Sequence, residues 1–211
     1  MFTNNVYKNV ISLLEKDKIH IIPKDKSLFM RILSKLIFFN KKFMTKFITT
    51  IGETIYLSTG FNDLPETSRV ITLLHEYVHI NQKRKDKLFS LKYLFPQSLI
   101  ILSFAAFLCP PMALFMLFLL PIPAYFRMKY EAEAYGLSLF LFKKSGIYHM
   151  DFEFEHCIKQ FTGPNYYFMW PFEDYIRKEI LYSWHRIEDG NPTENQKKSL
   201  DLLSSAIALR T

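Results

Sequence analysis

From Tyr93 to Phe126 the chain runs for 34 residues without a charged side chain, in a total of 211. No other stretch restricts the fold so strongly, because a segment this apolar has to be buried in protein or taken into lipid. Pro110-Pro111 divides it into two halves of 17 residues, each at the low end of membrane-spanning length. Lys85, Lys87 and Lys92 precede the block, and Arg127 and Lys129 follow it. By the preference of positive charge for the cytoplasmic side, both outer ends belong on that side. The expectation is therefore a membrane-associated chain, its 93–126 hairpin entering lipid and returning. The alternative is a cytoplasmic soluble protein in which a helical hairpin is buried.

The rest of the composition narrows the classes further. The chain is 49% apolar and 17% aromatic, which excludes disorder, and Cys109 and Cys157 are too few for a disulfide framework. A net charge of +7 raises the question of nucleic acid. Residues 1–60 carry ten Lys/Arg against four acids, but residues 131–211 carry nine against twelve, so the basic excess lies before and around the apolar block. No spaced nucleic-acid motif accompanies it, and no nucleic-acid partner is expected. The first ten residues lack an apolar core followed by a small-residue cleavage site, so no signal peptide is read there.

Local patterns give an α+β order. Val6, Val10, Leu13 and Leu14 set one face of a helix over the first 18 residues, and Ile19 to Ile22 reads as a strand closed by Pro23. Residues 27–39 have the spacing of a basic amphipathic helix. Residues 46–59 read as two strands turning at Gly52-Glu53. Asp63 and Glu66 have capping-box spacing, so a helix is expected from there to about Lys85. Further helices are expected at about 127–144, 151–161, 173–188 and 194–210, the last capped by Thr193 and Gln196. Residues 162–172 form an aromatic loop in which Phe168, Trp170 and Phe172 are most simply a packing cluster. No linker or repeat divides residues 1–211, so a single domain is expected, with the apolar hairpin inserted at about 93–126.

The chemistry lies in His75-Glu76-Tyr77-Val78-His79, an H-E-x-x-H motif inside the expected helix. Four residues are just over one turn, so both imidazoles leave the same face and can close on one ion. Glu76, next to His75, sits where it can take a proton from water activated by that ion. Catalytic zinc normally has a third protein ligand. Ile80-Asn81-Gln82 offers none of the Gly and His that a metzincin places there. Glu131 and Glu133, about 200° apart on the later helix, are the two candidates.

On these motifs the sequence resembles the gluzincin metallopeptidases, in particular the membrane-associated type that includes the prenyl-protein endoproteases and the HtpX-like heat-shock proteases. Their second helix carries a pattern close to E-x-x-A-D. The likeness covers about residues 54–136 in the order of elements, but only two short motifs in residues. It implies a zincin-like α+β fold, a small sheet packed on an active-site helix and a Glu-bearing helix. It also implies Zn²⁺ held by His75, His79 and Glu131, with Glu76 as general base in peptide-bond hydrolysis of a protein or peptide substrate. Tyr135 stands where the family has Asp, so a carboxylate that would orient one histidine is missing, and Gln82 is placed to substitute for it in part. That departure keeps open a zincin-fold protein that binds zinc or a partner without catalysis. The strand at Thr54 to Ser58 is expected to border the cleft and pair with an extended substrate. Candidates to stabilise the transition state are His156, Tyr166, Tyr167 and His185.

Overall fold

The computed structural model describes residues 4–36, 40–107, 109–120, 122–146, 150–166 and 168–209. They form a mostly helical α+β structure with one small sheet. Helix α1 (Asn4–Lys16) buries Val6, Val10 and Leu14, the face expected from their spacing. Strand β1 (His20–Pro23) follows, then α2 (Leu28–Leu36). Residues 37–39, assigned to that helix by their spacing, lie outside the described residues.

Strands β2 (Thr49–Ile51) and β3 (Thr54–Leu57) form the expected hairpin. Gly52 turns it at φ +68°, a conformation that costs glycine nothing and other residues a clash. Strand β1 then pairs parallel to β3, His20 opposite Thr54 and Pro23 opposite Leu57, which gives the order β1-β3-β2. β3 is thus the central strand, and both of its edges are taken. Among the described residues, the free edge next to the site belongs to β2, not to the Thr54–Ser58 strand expected there.

Helix α3 (Glu66–Lys85) carries the H-E-x-x-H motif. Its start differs from the expected capping box: Asp63 closes a short 3-10 turn (Phe61–Asp63), and Pro65 is the N-cap, without a side-chain hydrogen bond. At the other end Lys83, Arg84 and Lys85 complement the helix dipole. Arg84 also binds Asp17 and Glu53, each at 2.6 Å, so the turn after α1 and the β2–β3 turn are both clamped to the end of α3. That clamp sets β2 alongside the face of α3 that carries His75, Glu76 and His79.

The apolar block is where the expectation fails. It contributes the short α4 (Phe89–Leu94), then two 3-10 segments, Gln97–Phe107 and Pro110–Leu119, packed chiefly on each other. No helix among the described residues is long and apolar enough to cross a membrane. Prolines at 96, 110, 111, 121 and 123 punctuate the block. At roughly 2.0 Å per residue, 3-10 segments of 11 and 10 residues reach about 22 and 20 Å. A hydrocarbon core is about 30 Å thick. The membrane placement with a cytoplasmic site is corrected accordingly. What survives is the topological role of the hairpin, which leaves α3 and returns at α5 on the same side.

Helix α5 (Tyr125–Lys144) lies between two hydrophobic clusters. Ala134, Leu137 and Leu141 pack with α1, β3 and α3, while Met128, Ala132 and Leu139 pack with the later helices. Those are α6 (Met150–Thr162) and α7 (Glu173–Glu188), while α8 (Glu194–Ala208) joins the first cluster through Leu203 and Ala206. Gly136 allows α5 to approach α7: a Cβ there would lie 2.3 Å from Ser183 Oγ. Thr193 and Gln196 make both bonds of the expected capping box at the start of α8.

Candidate metal centre

Two α-helices bring three ligand groups together. His75 and His79 project from α3, and Glu131 from the facing side of α5; all three are buried. Glu131 Oε2 is 3.6 Å from Nε2 of His75 and 3.6 Å from Nε2 of His79. The ligand atoms all lie within 4.8 Å of one another. A tetrahedral zinc with bonds of 2.0–2.1 Å separates its ligand atoms by about 3.3 Å, so the cluster needs little movement to close on an ion. Glu131 Oε2 is also buried without a hydrogen-bond partner. A carboxylate oxygen left so is expensive unless a cation completes it. The donor set and this orphaned oxygen both fit a divalent transition metal.

Hydrogen bonds on the far side of each ring fix its tautomer. Ser138 Oγ donates to the Ala134 carbonyl, so it can only accept from Nδ1 of His75, 3.1 Å away. Gln82 Oε1 accepts from Nδ1 of His79 at 2.8 Å. The Gln82 amide donates to the Tyr130 carbonyl and to Glu133 Oε2 at 2.8 Å, which settles which of its ends faces His79. Both Nε2 atoms are thereby aimed at Glu131 and the centre. Without metal, burial works against charge on His79, but the adjacent Glu131 carboxylate overrides it and raises His79 to about 9. Burial alone would raise Glu131; the paired histidines instead hold it well below the usual carboxylate range.

Glu133 is excluded as a ligand by its own partners. Thr193 and Asn195 donate to one of its oxygens and Gln82 to the other. Tyr135, where the gluzincin pattern has Asp, packs edge-on to His75 with ring centroids 4.8 Å apart and accepts nothing from it. Ser138 does that work one turn further along.

Glu76 faces a cavity of about 570 Å³ that also borders His75, His79 and Glu131. Thr50 Oγ1 donates to Glu76 Oε2 at 2.6 Å, so β2 holds the carboxylate. Of the four transition-state candidates, Tyr166 lines the cavity. His156 pairs with Gln160 and stacks on Phe152 on α6, and His185 lies near Trp184 in the last turn of α7; neither borders the cavity. Tyr167 lies outside the described residues. Trp170 packs among Tyr125, Phe172 and Tyr175, as expected of a packing cluster.

Four residues at the site escaped the sequence reading: Thr50, Tyr93, Ser138 and, as a wall of the cavity, Arg127. Tyr93 donates to Glu131 Oε1, leaving Oε2 for the centre. Ser138 was legible in principle, because it stands seven residues after Glu131 on the same helical face. In comparison with known proteins, the chain matches no family model, no curated protein and no solved structure.

Proposed function

We propose that this chain is a zinc-dependent peptidase of the gluzincin kind on a zincin-like fold. The observation that carries the proposal is the orphaned Glu131 Oε2 facing both Nε2 atoms, with Glu76 beside them in the same cavity. Bound by His75, His79 and Glu131, zinc supplies Lewis acidity, drawing the pKa of a water towards about 7 and polarising a carbonyl.

The chain's own residues do the rest. Glu76, held by Thr50, accepts the proton of the attacking water and passes it to the departing amine nitrogen. Ser138 and Gln82 keep the proton of each imidazole on Nδ1, away from the centre. The free edge of β2, whose residues 49–51 border the cavity, offers backbone groups to an extended peptide. Tyr166 lines the cavity, and its hydroxyl lies 3.2 Å from that of Tyr135.

Metal content and turnover test the proposal together. Elemental analysis is expected to find near-stoichiometric zinc in wild type and in Glu76→Gln, and a sharp loss in His79→Ala and Glu131→Ala. With quenched fluorescent peptides, Glu76→Gln is expected to lose about 10²- to 10⁴-fold in kcat. Folded wild type without zinc would end the proposal. Zinc-loaded protein on which Glu76→Gln changes nothing would favour a zinc-binding protein without catalysis.

A further inference from the structure

Two cations, Lys83 and Arg127, border the cavity, and hydrolysis itself leaves both without a task. Arg127 stands one turn before Glu131 on α5, a rise of about 6 Å, and forms part of the cavity wall. Its guanidinium carbon lies over the rings of Tyr93 and Tyr166, 5.0 and 5.1 Å from their centroids. Aromatic faces attract a cation but occupy none of the donors that a guanidinium directs within its own plane. Arg127 shares a hydrogen bond with Tyr93 and feels the charge of Glu131, but its Nε is buried without a hydrogen-bond partner. Arg84 and Arg177, by contrast, each hold a carboxylate at 2.6 Å.

A planar, permanently charged fork suits a carboxylate better than it suits a neutral carbonyl. An unpaired donor in a buried wall is costly until an acceptor arrives. The wall is otherwise rich in apolar side chains, Leu33, Phe43, Phe47, Phe89 and Leu94 among them, beside the polar Asn40, Ser90 and Lys83. We propose that Arg127 receives a carboxylate of the substrate, so that the site selects peptides carrying an apolar side chain and a carboxylate near the bond to be cut. Arg127 borders the same cavity as His75, His79 and Glu131, so that carboxylate lies near the bond to be cut. It is either the C-terminal carboxylate of the peptide or an acidic side chain. This assignment rests on the peptidase proposal for its context, but it concerns binding and is tested as binding.

The test titrates three fluorescein-labelled peptides into Glu76→Gln protein, both zinc-loaded and metal-free, followed by anisotropy. The peptides are Ala-Ala-Phe-Leu with a free C-terminus, the same peptide amidated, and amidated Ala-Glu-Phe-Leu. The free acid is expected to bind roughly 10- to 100-fold tighter than its amide. A C-terminal source leaves the Glu peptide as weak as the amide, and a side-chain source restores it. The preference is expected to vanish when Arg127→Gln is added and to return in part with Arg127→Lys. Equal binding of all three peptides, no binding of any, or a preference that survives Arg127→Gln overturns the assignment. Because the peptides are compared on one protein, the result stands even if the Arg127 variants fold poorly. Absence of zinc with the acid preference retained would remove the peptidase proposal and leave the carboxylate site.

Discussion

Gln82 Nε2 donates to Glu133 Oε2 at 2.8 Å, while the other end of the same amide accepts from His79. The gluzincin pattern has a carboxylate where Tyr135 stands; here Glu133, two residues earlier, reaches the imidazole of His79 through the Gln82 amide. A group that orients a metal-binding histidine commonly affects metal affinity by about 10- to 100-fold. Gln82→Leu is accordingly expected to weaken zinc binding by that order, with secondary structure intact. Titration against a competing chelator measures it, and unchanged affinity would show that the amide does not orient His79.

The two glutamates of α5 are expected to separate cleanly. Glu131→Gln removes a ligand charge and should abolish stoichiometric zinc. Glu133→Gln leaves the ligands in place but weakens the bonds from Thr193, Asn195 and Gln82, so it should loosen the start of α8 and weaken zinc binding in part without abolishing it. Elemental analysis and thermal unfolding on both variants give the answer. Zinc lost equally from both would contradict the assignment of Glu131 as the ligand.

Gly136→Ala is expected to destabilise the fold by about 1–3 kcal/mol, the usual range for overpacking. The added Cβ would lie 2.3 Å from Ser183 Oγ and 3.0 Å from the backbone nitrogen of Trp184. The backbone nitrogen cannot swing aside as a side chain can, so α7 has to shift. Urea unfolding measures the loss, and stability equal to wild type would mean that the α5–α7 contact is looser than described.

Lys24 gives stability a specific pH dependence. Its side chain is fully buried, its ammonium donates to the Phe43 carbonyl at 2.8 Å, and burial lowers its pKa from 10.5 to about 8, partly offset by Glu76. Between those two values the unfolded chain binds more protons than the folded one, so stability should rise as pH climbs from about 8 to 10.5. Below pH 8 the cost of the buried charge is constant. Lys24→Met should flatten this rise relative to wild type, as urea midpoints at pH 7, 8.5 and 10 would show. Parallel profiles would refute it.

What the sequence disclosed follows from how local each signal is. His75, Glu76 and His79 are legible because one helical turn defines their geometry, and the β2–β3 hairpin because Gly52 permits the turn by itself. The capping box at Thr193 and Gln196 is equally local. Asp63 misled because Pro65, two residues on, starts the helix instead. Tyr93 and Thr50 reach the site through the approach of α4 to α5 and of β2 to α3, contacts that no periodicity encodes. Residues 97–119 carry only apolarity, which is common to a membrane span, a buried helix and the 3-10 pair found here.

The position of that 3-10 pair has a consequence of its own. An ion bridging His79 and Glu131 would act as a cross-link, closing residues 80–130 into a loop. The entropy of closing a flexible loop grows only with the logarithm of its length, about 0.6 kcal/mol for each doubling. The apolar insertion therefore adds little to the cost of assembling the centre, and its length can change with little thermodynamic penalty at the cross-link. Metal removal would release this loop before any other part of α3 or α5, and amide exchange would register the loss first at α4.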